Sequence, residues 1–251
     1  MIGISSTGFC AYEISDIIAE IAKYFDFWEI FAEAKHHLHV IESKLPSLTK
    51  SFNLKYSLHA PISDINIASL NERIREDSVL EIISTIELAT QLDIDKITIH
   101  PGILSMSVPC MRDKSITQAK KSLRSIDRIS QQYGATVAVE NMASFPFFLG
   151  QTPEEIVNLL DGTNLAFCLD IGHANTTNQT ESLITELRDR LTNIHIHDNN
   201  GERDEHLPLG EGNINFKNIL SKLKFYNGNY IIESKSIPSG VKSRDYLKAI
   251  L

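Results

Sequence analysis

The chain has 251 residues, 42% of them hydrophobic and 22% charged, enough to bury a large core in one domain, since α/β barrels often reach this length undivided. A formal net charge of -8 and scattered Lys and Arg give no basic footprint for nucleic acid or an anionic membrane, although three bound dications would move it to about -2 and concentrate positive field at their site. Cys10, Cys110 and Cys168 are too far apart for a thiolate zinc site and odd in number for a disulfide framework; with no basic-then-apolar leader and no run of about 18 apolar residues, a cytoplasmic location without membrane association is expected.

Short β-branched or aromatic runs alternate with helix-period stretches from one end to the other. The strands are expected at Ile2–Ser5, Phe27–Phe31, Lys55–Leu58, Lys96–Ile99, Thr136–Val139, Leu165–Leu169, Asn193–Ile196 and Tyr230–Ile232. Between them Ile14–Phe25, Glu72–Gln91, Ser115–Gln132, Pro153–Leu160, Glu181–Leu191, Phe216–Leu223 and Arg244–Leu251 repeat apolar residues near i, i+3, i+4 and i+7, the spacing of one helix face. The stretch after the second strand has no clear period. Thr152-Pro153-Glu154-Glu155 reads as a helix start, with Thr152 as N-cap. Eight βα units predict a single α/β domain over 1–251, a (β/α)8 TIM barrel, with an open doubly wound sheet as the runner-up.

Residues able to bind metal fall at the C-terminal ends of these strands, the face where barrel enzymes build active sites. His59 follows the third strand, His100 the fourth and Glu140 the fifth. Asp170 and His173 follow the sixth, His195 and His197 lie on or just after the seventh, and Glu233 follows the eighth; Asp204 and His206 stand in the loop after the seventh. A single such residue would ordinarily cap a helix or sit in a solvated turn. Many at one barrel mouth require a compensating cation, because buried carboxylates and imidazoles are costly unless paired or metal-bound. Imidazole and carboxylate donors without thiolate suit zinc, manganese, iron or cobalt. Other candidates read as ordinary structure: His36-His37 as a solvated surface pair, Glu33 as an acid without an evident partner, and Gly210-Glu211-Gly212 as a turn. His197 shares a strand face with His195 and is either a support for the metal ligands or a hydrogen-bonded core histidine.

The ordered segments Leu-His59-Ala-Pro, Ile-His100-Pro-Gly, Val-Glu140-Asn, Leu-Asp170-Ile-Gly-His173, His195-Ile-His-Asp, Asp204-Glu-His206-Leu-Pro-Leu-Gly-Glu-Gly and Ile-Glu233 resemble the xylose-isomerase-like TIM barrel superfamily, the AP endonuclease family 2. Within it the ligand signature is most similar to endonuclease IV. That resemblance implies up to three divalent ions, zinc first. Glu140 would bridge two of them, one completed by His59 and His100 and the other by Asp170, His195 and Glu233; His173, Asp204 and His206 would hold the third. The sugar isomerases and epimerases of the superfamily resemble a subset, one metal on the equivalents of Glu140, Asp170, His195 and Glu233, with the two glutamates as catalytic proton carriers.

The full set predicts a metal-dependent phosphoesterase resembling endonuclease IV, in which a metal-generated hydroxide cleaves a phosphodiester or sugar-phosphate bond, on abasic DNA or a small phosphate ester. The alternative is a sugar or sugar-phosphate isomerase or epimerase using one metal and the Glu140/Glu233 pair. Against the DNA reading, His59 is followed by Ala60-Pro61-Ile62-Ser63-Asp64 and not by an aromatic wedge. The apolar loop from Ala143 to Leu149 is expected to be a lid, a wedge or a packed core contact.

Overall fold

Eight short strands, apolar on both faces, can be satisfied only if helices cover one side and other strands the other. The computed structural model describes residues 1–105 and 111–251. In it β1 (Ile2–Ser5), β2 (Phe27–Phe31), β3 (Lys55–His59), β4 (Lys96–Ile99), β5 (Thr136–Glu140), β6 (Ala166–Asp170), β7 (Leu191–Ile196) and β8 (Tyr230–Ile232) pair in parallel, in chain order, and β8 closes on β1 to complete a barrel. The (β/α)8 expectation holds, and the open sheet is excluded. The helices are α1 (Ile14–Tyr24), α2 (Leu38–Ile41), α3 (Leu45–Ser51), α4 (Glu72–Gln91), α5 (Arg112–Tyr133), α6 (Pro153–Leu160), α7 (Ile171–Thr177), α8 (Thr180–Glu186), α9 (Phe216–Lys222) and α10 (Ile237–Ile250). Trp28, Phe167 and Phe216 are the largest fully buried side chains of the core. Cys10 and Cys168 are free thiols; Cys110 lies outside the described residues. Among the described residues no helix is long and apolar enough to cross a membrane.

The departures from the sequence reading have local causes. The stretch expected as one helix over 181–191 ends at Glu186 and passes through a 3-10 turn, Arg188–Arg190, before Leu191 enters β7. Arg190 fastens that turn by donating to the carbonyls of Thr163 (3.1 Å) and Leu165 (2.8 Å). The last helix begins at Ile237, seven residues before the expected Arg244, because Ser236 caps it and Pro238 sits in its first turn. Its Gly240 lies where a Cβ would come within 2.5 Å of Ile4 Cδ1, so a residue that weakens the helical period is there for close packing on β1. Thr152 caps α6 as expected, its hydroxyl accepting from the Glu155 N–H.

His36 is not a solvated residue. Its side chain is fully buried, with Nδ1 2.8 Å from Ser6 Oγ and its ring against the edge of Trp28, and only His37 is partly open, paired with Glu81 at 3.1 Å. Burial pushes the His36 imidazole down from its ordinary 6.5 to about 4. Protonation therefore favours the unfolded chain in that interval: the contribution of neutral His36 is complete above pH 6.5 and is lost as pH falls toward 4, to the extent of about 3 kcal/mol. Urea midpoints measured between pH 7 and pH 4 should fall less steeply in His36→Asn than in the parent.

Candidate metal centre

β3, β5 and β6 each run one residue further than the apolar pattern, and the added residue is the ligand candidate: His59, Glu140 and Asp170. His59 donates Nδ1–H to the carbonyl of Ala60 (2.8 Å), which turns the lone pair of Nε2 toward Glu140 Oε2 at 3.1 Å. His100 brings its Nε2 to the same oxygen, at 3.2 Å. A lone pair facing a carboxylate needs positive charge between them, from a proton or a cation.

Asp170 does two things at once. It is the N-cap of α7, a helix not foreseen from the sequence, and its Oδ1 accepts from the His173 N–H at 2.6 Å. Its Oδ2 is buried without a hydrogen-bond partner, an expensive position for a carboxylate oxygen and a fitting one for a metal ligand. Asn141 pins the segment by accepting from the Asp170 N–H (2.8 Å) and donating to its carbonyl (3.0 Å). His173, placed in the first turn by the cap, donates Nδ1–H to the Asn141 carbonyl (2.9 Å) and presents Nε2 to Asp204 Oδ2 at 3.3 Å.

His195 is oriented the other way round. Its Nδ1 lies 2.9 Å from Glu140 Oε1 and 3.3 Å from Glu233 Oε1, so the two glutamates, on and just after strands β5 and β8, meet at one nitrogen. Thr7 adds a hydroxyl donor to Glu233 at 3.4 Å. Burial alone would raise Glu140, but His195, with His100 and His59 hydrogen-bonded to it, outweighs that and holds it well below the ordinary carboxylate range. Burial prevails at Glu233, which is raised despite His195 and His206.

The loop after β7 brings Asp204 and His206 back to the mouth. His206 Nε2 is 3.1 Å from Asp204 Oδ2, and its backbone sits in the left-handed region at φ 47°, a strained position for a non-glycine residue. His197 is buried, stacked on His206 at 4.0 Å between ring centres, with Nε2 3.2 Å from Asp170 Oδ1 and 3.3 Å from Asp204 Oδ1. Donor atoms of His173, His197, Asp204 and His206 all lie within 4.8 Å of one another, as do those of His59, His100 and Glu140. The residues fit divalent cations: mostly buried, built from imidazole N and carboxylate O donors, with orphaned oxygen and nitrogen atoms among them. Cys168 also stands near, its Sγ within 4.8 Å of donor atoms of Glu140 and His195, and burial pushes its thiol up to about 12.

All nine expected ligands thus converge, and His197 joins them. A Cβ at Gly172 would stand 2.0 Å from His197 Cε1, so Gly172→Ala should cost about 1–3 kcal/mol by displacing a buried ring, read as a lowered denaturation midpoint. Glu33 is partnered after all: its Oε1 accepts from the Ile62 and Ser63 N–H groups, both at 2.7 Å, and fixes the loop after β3. Gly210 and Gly212 form the expected turn, donating their N–H groups to Asp198 Oδ2, each at 2.9 Å. In the 143–149 loop Leu149 is fully buried and Phe145 half exposed. Its Phe148, with Ile62, Ile65, Ile103 and others, walls a pocket of about 200 Å³ that opens on His100. The residue that escaped sequence reading is Glu29, an acid in the middle of the apolar β2 run Phe-Trp-Glu-Ile-Phe and fully buried. That acid in such a run was its one available signal.

The closed barrel carries at its C-terminal mouth a cluster of His, Asp and Glu side chains that could hold divalent metal. Residues 18–250 match the family described as Xylose isomerase-like TIM barrel, and the chain belongs to that family, whose members are enzymes and typically bind divalent metals. An uncharacterized protein of Methanocaldococcus jannaschii is 39% identical over 99% of this chain and 88% of its own. A crystal structure of a D-tagatose 3-epimerase-like protein superposes with a TM-score of 0.92 at 36% identity, covering 99% of this chain and 96% of that one. A protein of Aquifex aeolicus named probable endonuclease 4 is 28% identical over 74% of this chain and 72% of its own.

Proposed function

We propose that this chain is a divalent-metal-dependent epimerase or isomerase of small sugars or sugar phosphates, with Glu140 and Glu233 as its proton-transfer pair. The observation that carries this reading is the approach of both carboxylates to His195 Nδ1, one at the end of β5 and one just after β8, which brings two carboxylates to one point. Similarity over nearly the whole chain to a D-tagatose 3-epimerase-like protein supports the sugar reading above the phosphoesterase that the ligand list alone favours.

Glu140, Asp170, His195 and Glu233 would hold the ion, which when bound would draw electron density from a substrate carbonyl and so acidify the neighbouring C–H. One glutamate then takes that proton, the C–H electrons forming the C=C bond of an enediolate as the carbonyl π electrons pass to oxygen. The other returns a proton to carbon, and return to the opposite face inverts the centre. Pro61 and Ile62 line the pocket beside His100, where a DNA-repair enzyme would need a wedge.

Metal-loaded protein incubated with ketoses and their phosphates in D2O should place deuterium on the carbon next to the carbonyl and produce the epimer. Absence of exchange across the panel, together with chelator-sensitive cleavage of an abasic-site oligonucleotide, would restore the phosphoesterase. That second reading stays in view because His173, His197, Asp204 and His206 gather into a group beyond the four residues an epimerase uses.

A further inference from the structure

Three candidate ligands are histidines whose second ring nitrogen has a buried partner, and they divide into two kinds. His59 and His173 give Nδ1–H to main-chain carbonyls, at 2.8 and 2.9 Å, and turn Nε2 to the centre. A carbonyl can only accept, so the tautomer of each is fixed by the backbone. His195 turns Nδ1 to the centre, and 2.9 Å from its Nε2 stands Oε1 of Glu29. That oxygen accepts no hydrogen bond, the His195 edge is the charged group within reach of it, and the carboxylate is fully buried.

The surroundings of Glu29 account for its other oxygen. Oε2 accepts from Ser57 Oγ (2.9 Å) and Asn193 Nδ2 (3.1 Å). The Asn193 amide nitrogen also lies 3.2 Å from Thr98 Oγ1 and 3.2 Å from His195 Nε2. It has two hydrogens for three neighbours. With Thr98 and Glu29 Oε2 taking them, the imidazole edge is left to the unshared Oε1. These groups come from β2, β3, β4 and β7 and meet inside the barrel, beneath the ligand cluster, so four strands are committed to holding one carboxylate in place.

We propose that Glu29 is the positioning residue of the metal centre: it keeps the proton of His195 on Nε2, commits Nδ1 to the metal, and strengthens that nitrogen as a donor by placing a negative charge behind the ring. A carboxylate behind a ligating histidine does this generally, and its loss commonly weakens metal binding by about 10- to 100-fold. A carbonyl, as behind His59 and His173, fixes the tautomer without the full charge. His195 is thereby the strongest imidazole donor of the cluster. The inference rests on the reading of Glu140, Asp170, His195 and Glu233 as metal ligands, and its test does not depend on the substrate.

Zn2+ affinity of metal-stripped protein, measured by chelator competition, should fall about 10- to 100-fold in Glu29→Gln. The amide keeps the volume but removes the charge and turns an acceptor into a donor beside His195, so the metal-free thermal midpoint should fall as well; a purely structural role would lower that midpoint and leave affinity alone. Long-range 1H–15N correlation of Zn2+-loaded wild-type protein should show His195 protonated at Nε2, and this measurement decides the matter if the variant does not fold. Equal affinity in the two proteins, or metal on Nε2 of His195, would overturn the role of Glu29 while leaving the metal centre standing. A wild-type protein that binds no Zn2+ would sink the centre itself, and this inference with it.

Discussion

Glu233→Gln is expected to lower kcat for epimerisation by about 10³-fold, within the range that a positioned general acid or base contributes, and Glu140→Gln by at least as much. The two variants should differ in what they retain. Glu140 faces His59, His100 and His195 together, so its replacement removes charge from the point at which three imidazoles meet and weakens metal binding as well as proton transfer. Glu233 touches fewer partners, with Thr7 behind it. If one glutamate attacks each face, Glu233→Gln should still exchange substrate hydrogen with solvent from the opposite side while failing to invert the centre. Deuterium incorporation without epimer, followed by mass spectrometry and NMR of the sugar, checks this. Wild-type rates in either variant would remove the glutamates from the chemistry.

Removal of metal should be nearly as damaging. With ion at about a thousand times its dissociation constant, binding to the native state alone adds about 4 kcal/mol, so chelation should drop the thermal midpoint by on the order of 10 °C and abolish turnover. Readdition of one equivalent should restore both if the epimerase reading is right. His206→Ala separates the alternatives within the same assay. His206 belongs to the outer group with Asp204 and His173, so epimerisation should stay within about threefold of wild type, whereas a phosphoesterase deprived of a ligand should lose about 100-fold or more. A comparable loss of epimerisation in that variant would show that the outer group serves the sugar reaction too.

The positions of the candidate ligands were legible in the sequence because a barrel puts strand ends on one face, and the apolar runs of β3 to β6 and β8 lead directly into a His, Asp or Glu. What lay beneath them was not. A short buried strand has apolar residues on both faces, so Phe-Trp-Glu-Ile-Phe gives no alternation to mark Glu29 as pointing into the lumen, and its partners Ser57, Thr98 and Asn193 come from strands far apart in the chain. His36 was misread for a similar reason: it stands in a polar stretch, and only the tertiary fold reveals that Ser6, 30 residues away, and Trp28 enclose it. Helix α7 was hidden because Asp170-Ile-Gly-His173 reads first as ligands, although the same spacing makes the first residue a cap and the last a first-turn residue. The choice of reaction was not contained in the donor list at all, since the epimerase set is nested within the endonuclease IV set; whole-chain similarity to a D-tagatose 3-epimerase-like protein backs the sugar alternative better than the phosphoesterase.

The pairing of β8 with β1 joins residues 2–4 to residues 230–232. Glu233 follows β8 directly, and His195 lies on β7 beside it, so the nascent chain carries Glu29, His59 and Glu140 long before it has the means to hold an ion among them. Formation of the seam is therefore the same event as completion of the centre. Until the last strand docks, the three carboxylates proposed to share the ion, Glu140, Asp170 and Glu233, have no common cation, and a partly built barrel has little reason to keep them together. Metal captured at that moment would act as a clasp on the youngest strand, making the final step of folding the one most sensitive to how much free ion surrounds the newly made protein.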